Sequence, residues 1–397
     1  MILSDVCEFI VDCPHSTAPD EGEGYPLIRT PNVGKGRLDL NGVHRVSESV
    51  YKQRIQRGAP RANDLIFARE APAGNVALVQ ENQTVCLGQR TVLIRPNVQK
   101  VNPQYLVYYL LSPKPQYELL GTANGATVAH VNLPAIRNLK IELPEKSVQD
   151  KIGTILVTYD DLIENNQKQI KLLEEAAQRL YKEWFVNLRF PGHENTKIVD
   201  GVPEGWQYEK LGDLVKTTSG GTPSRRKSEY YVNGNIRWIK TKELNDRFIF
   251  ETEEHITEDA VKNSSAKVLP EGALIVAMYG ATIGKIGITA AEMACNQACC
   301  AFISFDDMIS KEYLYCWLMD NREYLVSQGK GAAQSNLSQE MIRNFSLLCP
   351  DKKVIKIFTE IVTTMLENKR VLENKILMLS EARDDLLPKL MSGEVEV

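Results

Sequence analysis

The sequence predicts an α+β protein in which two strand-rich globular modules are separated by two long antiparallel helices forming a coiled coil, with an internal pseudo-twofold repeat. Three observations lead there. The chain matches itself at an offset of about 206 residues, each copy closes with a long heptad-patterned segment, and the rest of each copy consists of short apolar or β-branched runs broken by Gly and Pro.

The repeat organises the rest. At an offset of 206, Ile136-Arg137-Asn138 meets Ile342-Arg343-Asn344, Pro144 meets Pro350, Val148 meets Val354, Ile170 meets Ile376 and Leu180 meets Leu386. Small gaps carry the match back through Tyr105-Leu106 with Tyr313-Leu314, Gln89 with Gln297, Leu65 to Ala68 with Leu274 to Ala277, and Ile28-Arg29-Thr30 with Ile239-Lys240-Thr241. At an offset of 204, Asn132-Leu133 meets Asn336-Leu337. The order is kept throughout, which chance similarity would not do. The domains are therefore a first module over residues 1–142, a central spacer helix over 143–190, a second module over 191–348 and a C-terminal spacer helix over 349–397. The stretch from Pro191 to Trp206, polar with Gly and Pro, reads as an exposed linker.

In the first helix Val148, Ile152, Ile155, Tyr159, Leu162, Asn166, Ile170, Leu173, Ala177, Leu180 and Trp184 form a heptad seam with one four-residue stutter. In the second, Val354, Phe358, Ile361, Met365, Asn368, Leu372, Ile376, Leu379, Arg383, Leu386 and Leu390 repeat the same offsets. Pro144 and Pro350 suit helix starts, Phe190-Pro191-Gly192 and Ser392-Gly393 suit stops, and Pro388 is expected to kink or end the second helix early. Asn166 and Asn368 fall on the seams, where a polar residue fixes register. Within the modules, LIFA, TVLIRP, ALIVAMYG and CCAFISF read as strands, and NPQYLVYYLLS and SKEYLYCWLMDNREYLVS as short helices.

Composition is that of a globular protein, 43% hydrophobic and 25% charged over 397 residues. No apolar run is long enough to span a bilayer, and the N-terminus lacks the pattern of an export signal, so a cytoplasmic protein without a membrane association is expected. The eight cysteines form no C-x-x-C pair, and packed, reduced thiols are expected. A formal net charge of −4 argues against a uniformly basic nucleic-acid binder. The distribution differs from the sum: nine Lys/Arg against three acids lie between Arg29 and Arg69, and nine against four between Lys210 and Arg247.

Catalytic signatures are missing. Gly280-Ala281-Thr282-Ile283-Gly284-Lys285 has three residues between its glycines where a phosphate loop needs four, and Ile286 stands where Ser or Thr should follow. A turn bringing backbone amides to a ligand is the better reading. The five histidines form no H-E-x-x-H pattern, none aligns with another across the repeat, and solvated or loop positions are expected for them. No nucleophile elbow, dinucleotide loop or Asn/Asp-Pro-Pro-aromatic motif occurs. Neither a metal site nor a cofactor within this chain is expected.

The duplicated plan, the helix opening LPEKSVQDKIGTIL and the N-L-x-x-I-R-N-L-x-I-x-L-P before it resemble the specificity subunits of type I restriction-modification systems over essentially the whole chain. The resemblance implies that each module is a target recognition domain reading half of a split double-stranded DNA sequence. It implies that the helices set the separation of the halves and dock two DNA methyltransferase subunits that carry AdoMet and methylate adenine. Restriction and translocase subunits would add to that complex. A rigid spacer between two modules independently predicts a bipartite target with a fixed gap, and modules that differ in sequence predict an asymmetric one.

DNA contacts are expected at positions polar or basic in both copies: Arg29 and Thr30 with Lys240 and Thr241, Gln89 and Arg90 with Gln297, and Asn132 with Asn336. Lys35, Arg37, Arg69, Arg225, Arg226, Lys242, Tyr279, Lys330 and Ser335 join them from one copy each. Arg and Gln can read guanine and adenine edges bidentately, whereas Lys and Thr more often hold phosphates. Asn132 and Asn336 have a competing role as helix caps. The competing function is a coiled-coil scaffold that bridges proteins without reading DNA.

Overall fold

The structure is a computed structural model that describes residues 1–121, 130–329 and 336–397. It divides into two compact units: unit 1 holds Met1–Asn165 with Leu377–Val397, and unit 2 holds Asn166–Ile376. Each long helix therefore begins in one unit and ends in the other. The first runs over Lys146–Tyr181 and continues into a wider π turn over Lys182–Val186. The second runs over Lys352–Ser392.

Unit 1 carries a five-stranded sheet in the spatial order Cys7–Asp12, Thr91–Pro96, Leu65–Ala68, Val76–Leu78, Gly36–Arg37, with a three-stranded sheet of Arg45–Val46, Tyr25–Ile28 and Cys86–Leu87 beside it. Unit 2 repeats the larger sheet as Val215–Ser219, Cys299–Phe305, Leu274–Ala277, Ile286–Thr289, Arg247–Ile249. Its smaller sheet is His255–Ile256, Ile236–Ile239, Met293–Cys295 and Val268–Leu269. The central strands are continuous apolar runs because both of their faces are covered. Leu65 and Phe67 enter the core shared with the helices, while Ile66 and Ala68 enter a second core on the opposite face. Leu274 and Val276 are divided from Ile275 and Ala277 in the same way. Alternation along a strand thus appears as a choice between two cores, not between core and water.

The ends of the long helices belong to these cores. In unit 1, Ile152 and Leu156 of the first helix and Leu390 of the second pack with Tyr105, Leu106 and Phe67. In unit 2, Tyr181, Trp184 and Phe185 meet Val354, Phe358 and Val362 around Tyr313, with Phe185 edge-on to Tyr313 at 4.8 Å and to Phe358 at 4.9 Å. Glu174 pairs with Lys369 farther along, so the two helices run antiparallel through this unit. The linker closes on itself, Phe190 and Trp206 lying 4.6 Å apart.

Two helix expectations are corrected: the early stop at Pro388 and the position of the second helix seam. Pro388 lies inside the second helix, which ends only at Ser392. A proline removes one N–H and crowds the carbonyl four residues back, but only one turn follows it here, and buried Leu390 anchors that turn in unit 1. Gly393, at φ +77°, makes the stop. On the second helix the predicted seam is displaced: Asn368 and Ile361 are exposed, whereas Val362, Leu366 and Lys369 are buried. The helix turns a broader face to unit 2 than an a/d seam supplies, because it packs on a globular core as well as on its partner helix. Asn166 is buried, as its seam position requires.

The eight cysteines are free thiols, Cys7 half-buried and the others buried. Among the described residues no group of three or more His, Cys, Asp or Glu side chains could hold a metal ion, and no helix is long and apolar enough to cross a membrane.

Candidate nucleic-acid interface

In unit 1, segments at the ends of three strands and a fourth that leads into a helix are tied together by backbone hydrogen bonds. Gly88 N–H donates to Ile28 at 2.8 Å, Arg69 N–H to Arg90 at 2.9 Å and Val131 N–H to Arg69 at 3.0 Å. A Cβ on Gly88 would lie 2.8 Å from the Ile28 oxygen, so this approach requires a residue without one. The Thr30 hydroxyl donates to Ala71 O at 3.3 Å. The result is one edge that gathers Arg29, Thr30, Arg69, Gln89, Arg90 and Asn132.

Unit 2 builds the same edge from the same bonds. Met278 N–H donates to Ala298 O at 2.8 Å, Leu337 N–H to Met278 O at 2.7 Å and Asn296 N–H to Ile239 O at 2.9 Å. The Thr282 hydroxyl donates to Thr241 O at 2.7 Å, which folds the Gly280–Lys285 turn onto this edge. Lys240, Thr241, Tyr279, Gln297 and Asn336 come together there, Tyr279 bridging to Asn336 by backbone and hydrogen-bonding Gln297 by side chain. Burial, first, and the nearby Cys299 raise the Tyr279 hydroxyl above the usual tyrosine range, while the hydrogen bond with Gln297 acts against the shift.

The backbone pairing corrects one alignment. Val131 and Leu337 make equivalent bonds, and the short helices Leu133–Arg137 and Gln339–Arg343 follow them in register. Asn132 therefore corresponds to Ser338, and Asn336 to His130. The identical Asn-Leu pair drew the sequence match two residues out of the 206 register. Ser338 caps its helix through Met341 N–H at 3.0 Å, while the Asn132 side chain makes no cap bond and stays exposed.

Several predicted contacts are engaged within the fold. Arg69 is 9% exposed and donates to Val131 O at 2.8 Å, Asp12 Oδ2 at 3.0 Å and His130 Nε2 at 2.8 Å, which makes it a framework residue of the edge. Arg37 lies apart from the edge, paired with Asp161 and 4.0 Å from Asp160 on the first long helix. In unit 2, Arg225 pairs with Glu254 at 2.6 Å and lies 4.3 Å over the Tyr231 ring, Lys240 pairs with Glu254 at 2.5 Å, and Lys242 pairs with Glu253. Burial disfavours the Glu254 carboxylate, but Lys240 and Arg225 together hold its carboxyl below the usual range. Lys35 and Arg226 are exposed and carry no ion pair among the described residues. Lys330 and Ser335 lie outside the described residues.

The basic zones counted along the sequence are consequently not continuous cationic patches. Arg54 is buried and donates to Leu87 O at 3.0 Å, Arg57 donates to Cys13 O at 3.2 Å, and Arg61 pairs with Glu8 at 3.2 Å. Sequence reading missed Asp12, Glu70 and His130. The signal for His130 was available: carrying the 206 offset one step farther back places it opposite Asn336.

A family model for the type I restriction modification DNA specificity domain matches residues 1–175 and 203–378. The chain belongs to this family. It is 28% identical over 363 residues to the type I restriction enzyme MjaIX specificity subunit of Methanocaldococcus jannaschii, covering 90% of this chain and 83% of that one. It is 25% identical over 406 aligned positions to the HindI specificity subunit of Haemophilus influenzae, covering 85% and 87%. Among solved structures, the type I restriction-modification S subunit from M. genitalium aligns at a TM-score of 0.62 and 15% identity, covering 98% of this chain and 95% of that one, a likeness of fold. The two matched segments of this specificity family fall on the two copies of the repeat, and the scaffold reading gains no support from these relatives.

Proposed function

We propose that this chain is the non-catalytic, sequence-reading subunit of a multi-subunit adenine-specific DNA methyltransferase and restriction enzyme, acting in the cytoplasm on a bipartite, asymmetric target in double-stranded DNA. The observation that carries the reading is the edge built twice from one set of backbone bonds and dressed with different side chains. Such an edge keeps its geometry while its base preference changes. Arg29, Thr30, Gln89, Arg90 and Asn132 would face one half-site, and Lys240, Thr241, Tyr279, Gln297 and Asn336 the other. Lys35 and Arg226, free of ion pairs among the described residues, suit phosphate contacts.

The long helices fix the gap, since half-site spacing follows protein geometry. Their exposed apolar side chains, among them Leu172 at 65%, Val371 at 49% and Met378 at 59%, support docking of two methyltransferase subunits that bring AdoMet. Restriction and translocase subunits join the same assembly.

The test is to express the chain with a companion methyltransferase and map modified adenines. A split target that depends on this chain is expected, and exchanging residues 1–142 for another module should change one half-site only. Methylation of the same sites by the companion alone would overturn the proposal.

A further inference from the structure

Arg90 differs from every other cation of unit 1. Its backbone sits at φ +64°, a conformation rare for residues other than glycine and asparagine. Its carbonyl is held by Arg69 N–H at 2.9 Å, so the turn that presents it is fixed from below. Its side chain is 62% exposed, yet Nη1 lies 2.9 Å from Glu70 Oε2.

Glu70 is held in turn. Its Oε1 meets His130 Nδ1, His130 Nε2 faces Arg69 Nη2 at 2.8 Å, and Arg69 Nη1 reaches Asp12 Oδ2 at 3.0 Å. A guanidinium only donates, so His130 Nε2 must accept and its proton sits on Nδ1, donated to Glu70. The donor sense is consistent: Arg69 gives to Asp12 and His130, His130 gives to Glu70, and Glu70 forms an ion pair with Arg90. Four buttressing side chains thus fix one exposed guanidinium, whose Nε and Nη2 make no hydrogen bond among the described residues.

We propose that Arg90 reads a guanine in the half-site taken by unit 1, with Glu70 and His130 as positioning residues; this rests on the DNA-reading function proposed above. A guanidinium fork matches the O6 and N7 acceptors of guanine in the major groove. A phosphate would use the same fork, but the Glu70 carboxylate beside it repels a phosphate and tolerates a neutral base edge. Unit 2 has Ala298 at the position of Arg90, Tyr279 at Glu70, Met278 at Arg69 and Asn336 at His130, so it has no counterpart of this reader. Its exposed amide, Gln297, is engaged within the fold, the amide oxygen accepting from the Thr222 hydroxyl.

The experiment maps modified adenines in DNA exposed to the full chain with its methyltransferase. The half-site assigned to unit 1 by exchange of residues 1–142 should contain a fixed G·C pair. Arg90→Ala should relax that one position, lowering discrimination on the order of ten- to a hundredfold, while the other half-site holds. Arg90→Lys should lose most of the preference although it keeps the charge. Glu70→Ala should relax the same single position, and the double variant no further, a pattern that general loss of stability would not give. A half-site without a fixed G·C pair, or Arg90→Ala with the preference intact, overturns the proposal. So does uniform weakening at every sequence with a shallower salt dependence, the mark of a phosphate contact. A wild-type complex with no chain-dependent target removes the DNA-reading function itself; an unchanged Arg90→Ala in a complex that has one removes this inference alone.

Discussion

Unit 1 and unit 2 share a sheet order and a set of backbone bonds, and they differ in what charge they bury. At the edge, unit 1 carries Asp12, Arg69, Glu70, Arg90 and His130 in one network, where unit 2 has Ser219, Met278, Tyr279, Ala298 and Asn336. At the helices the contrast takes another form. Unit 1 buries an acid: Asp160 of the first helix, 3% exposed, accepts from the Tyr108 hydroxyl and the Arg383 guanidinium, each at 2.5 Å. Unit 2 buries a base: Lys369 of the second helix, 1% exposed, meets Glu174 at 2.6 Å, Asp246 O at 2.6 Å and the Tyr315 hydroxyl at 3.2 Å. In both units a carboxylate of the first helix meets a cation of the second, and in unit 2 Glu373 of the second helix adds a further carboxylate beside Lys369. Like helices would set like charges together, so the difference teaches that these contacts specify the pairing of unlike helices as well as stabilise it.

Breaking either buried pair should give the largest effect. Asp160→Ala leaves Arg383 and Lys369→Ala leaves Glu174 and Glu373 without their main partner, each expected to cost about 3–5 kcal/mol. Hydrogen exchange measured segment by segment should place the lost protection in unit 1 for the first and in unit 2 for the second. Equal protection in both variants would mean that the pairs are incidental. Gly36 sharpens the point, since at φ +90° it lets the Asp160 carboxylate approach to where a Cβ would stand 2.5 Å away.

A smaller effect is expected from rewriting one edge as the other. Arg69→Met, which installs the residue found in unit 2, removes the donor to Asp12 and His130 and should cost about 1–3 kcal/mol through the buried acceptors it leaves. Asp12→Ser in the same chain should recover part of that loss, because Ser219 and Met278 are the residues unit 2 carries at these two positions. Denaturant melts of the four chains form a double-mutant cycle, and strict additivity would show that the network is not a unit.

The framework was legible in the sequence because it rests on periodicity and on a repeat. Runs such as Leu65–Ala68 and Leu274–Ala277 announce buried strands, and the offset near 206 orders the whole chain. The edge was half legible: Thr30, Gln89, Thr241 and Gln297 were found from their recurrence in both copies. What recurrence could not show is which charges are engaged inside the fold. Arg37 and Arg69 read as free cations until Asp161, Asp12 and His130 are brought to them from distant segments. A role carried by one copy alone, such as that of Glu70, leaves no trace in a self-comparison. The second helix seam failed for a related reason, since Lys369 is buried by partners from Glu174, Asp246 and Tyr315 that no helical pattern contains.

The subtlest difference between the units is a pH dependence, expected of unit 2 through Glu373. Burial pushes its carboxyl up to about 7, although Lys369, 3.8 Å away, and the Phe248 N–H, donating at 2.8 Å, act against the shift. An acid raised in the folded state binds its proton more tightly there than in the unfolded chain. Its contribution to stability is therefore complete below the ordinary glutamate range and is lost as pH rises toward 7, at a limiting slope of about 1.4 kcal/mol per pH unit. Asp246, whose carbonyl accepts from Lys369, works in the opposite sense. Burial would raise it, but Lys285, the Ile286 N–H and Arg322 hold its carboxyl below the usual range, so its contribution is lost only on stronger acidification. The two windows do not overlap, which makes Glu373→Gln diagnostic. Melts of the wild type should lose stability between pH 5 and 7 relative to this variant; parallel curves would mean that Glu373 stays ionised beside Lys369 throughout, and that unit 2 holds its buried base with two full carboxylates.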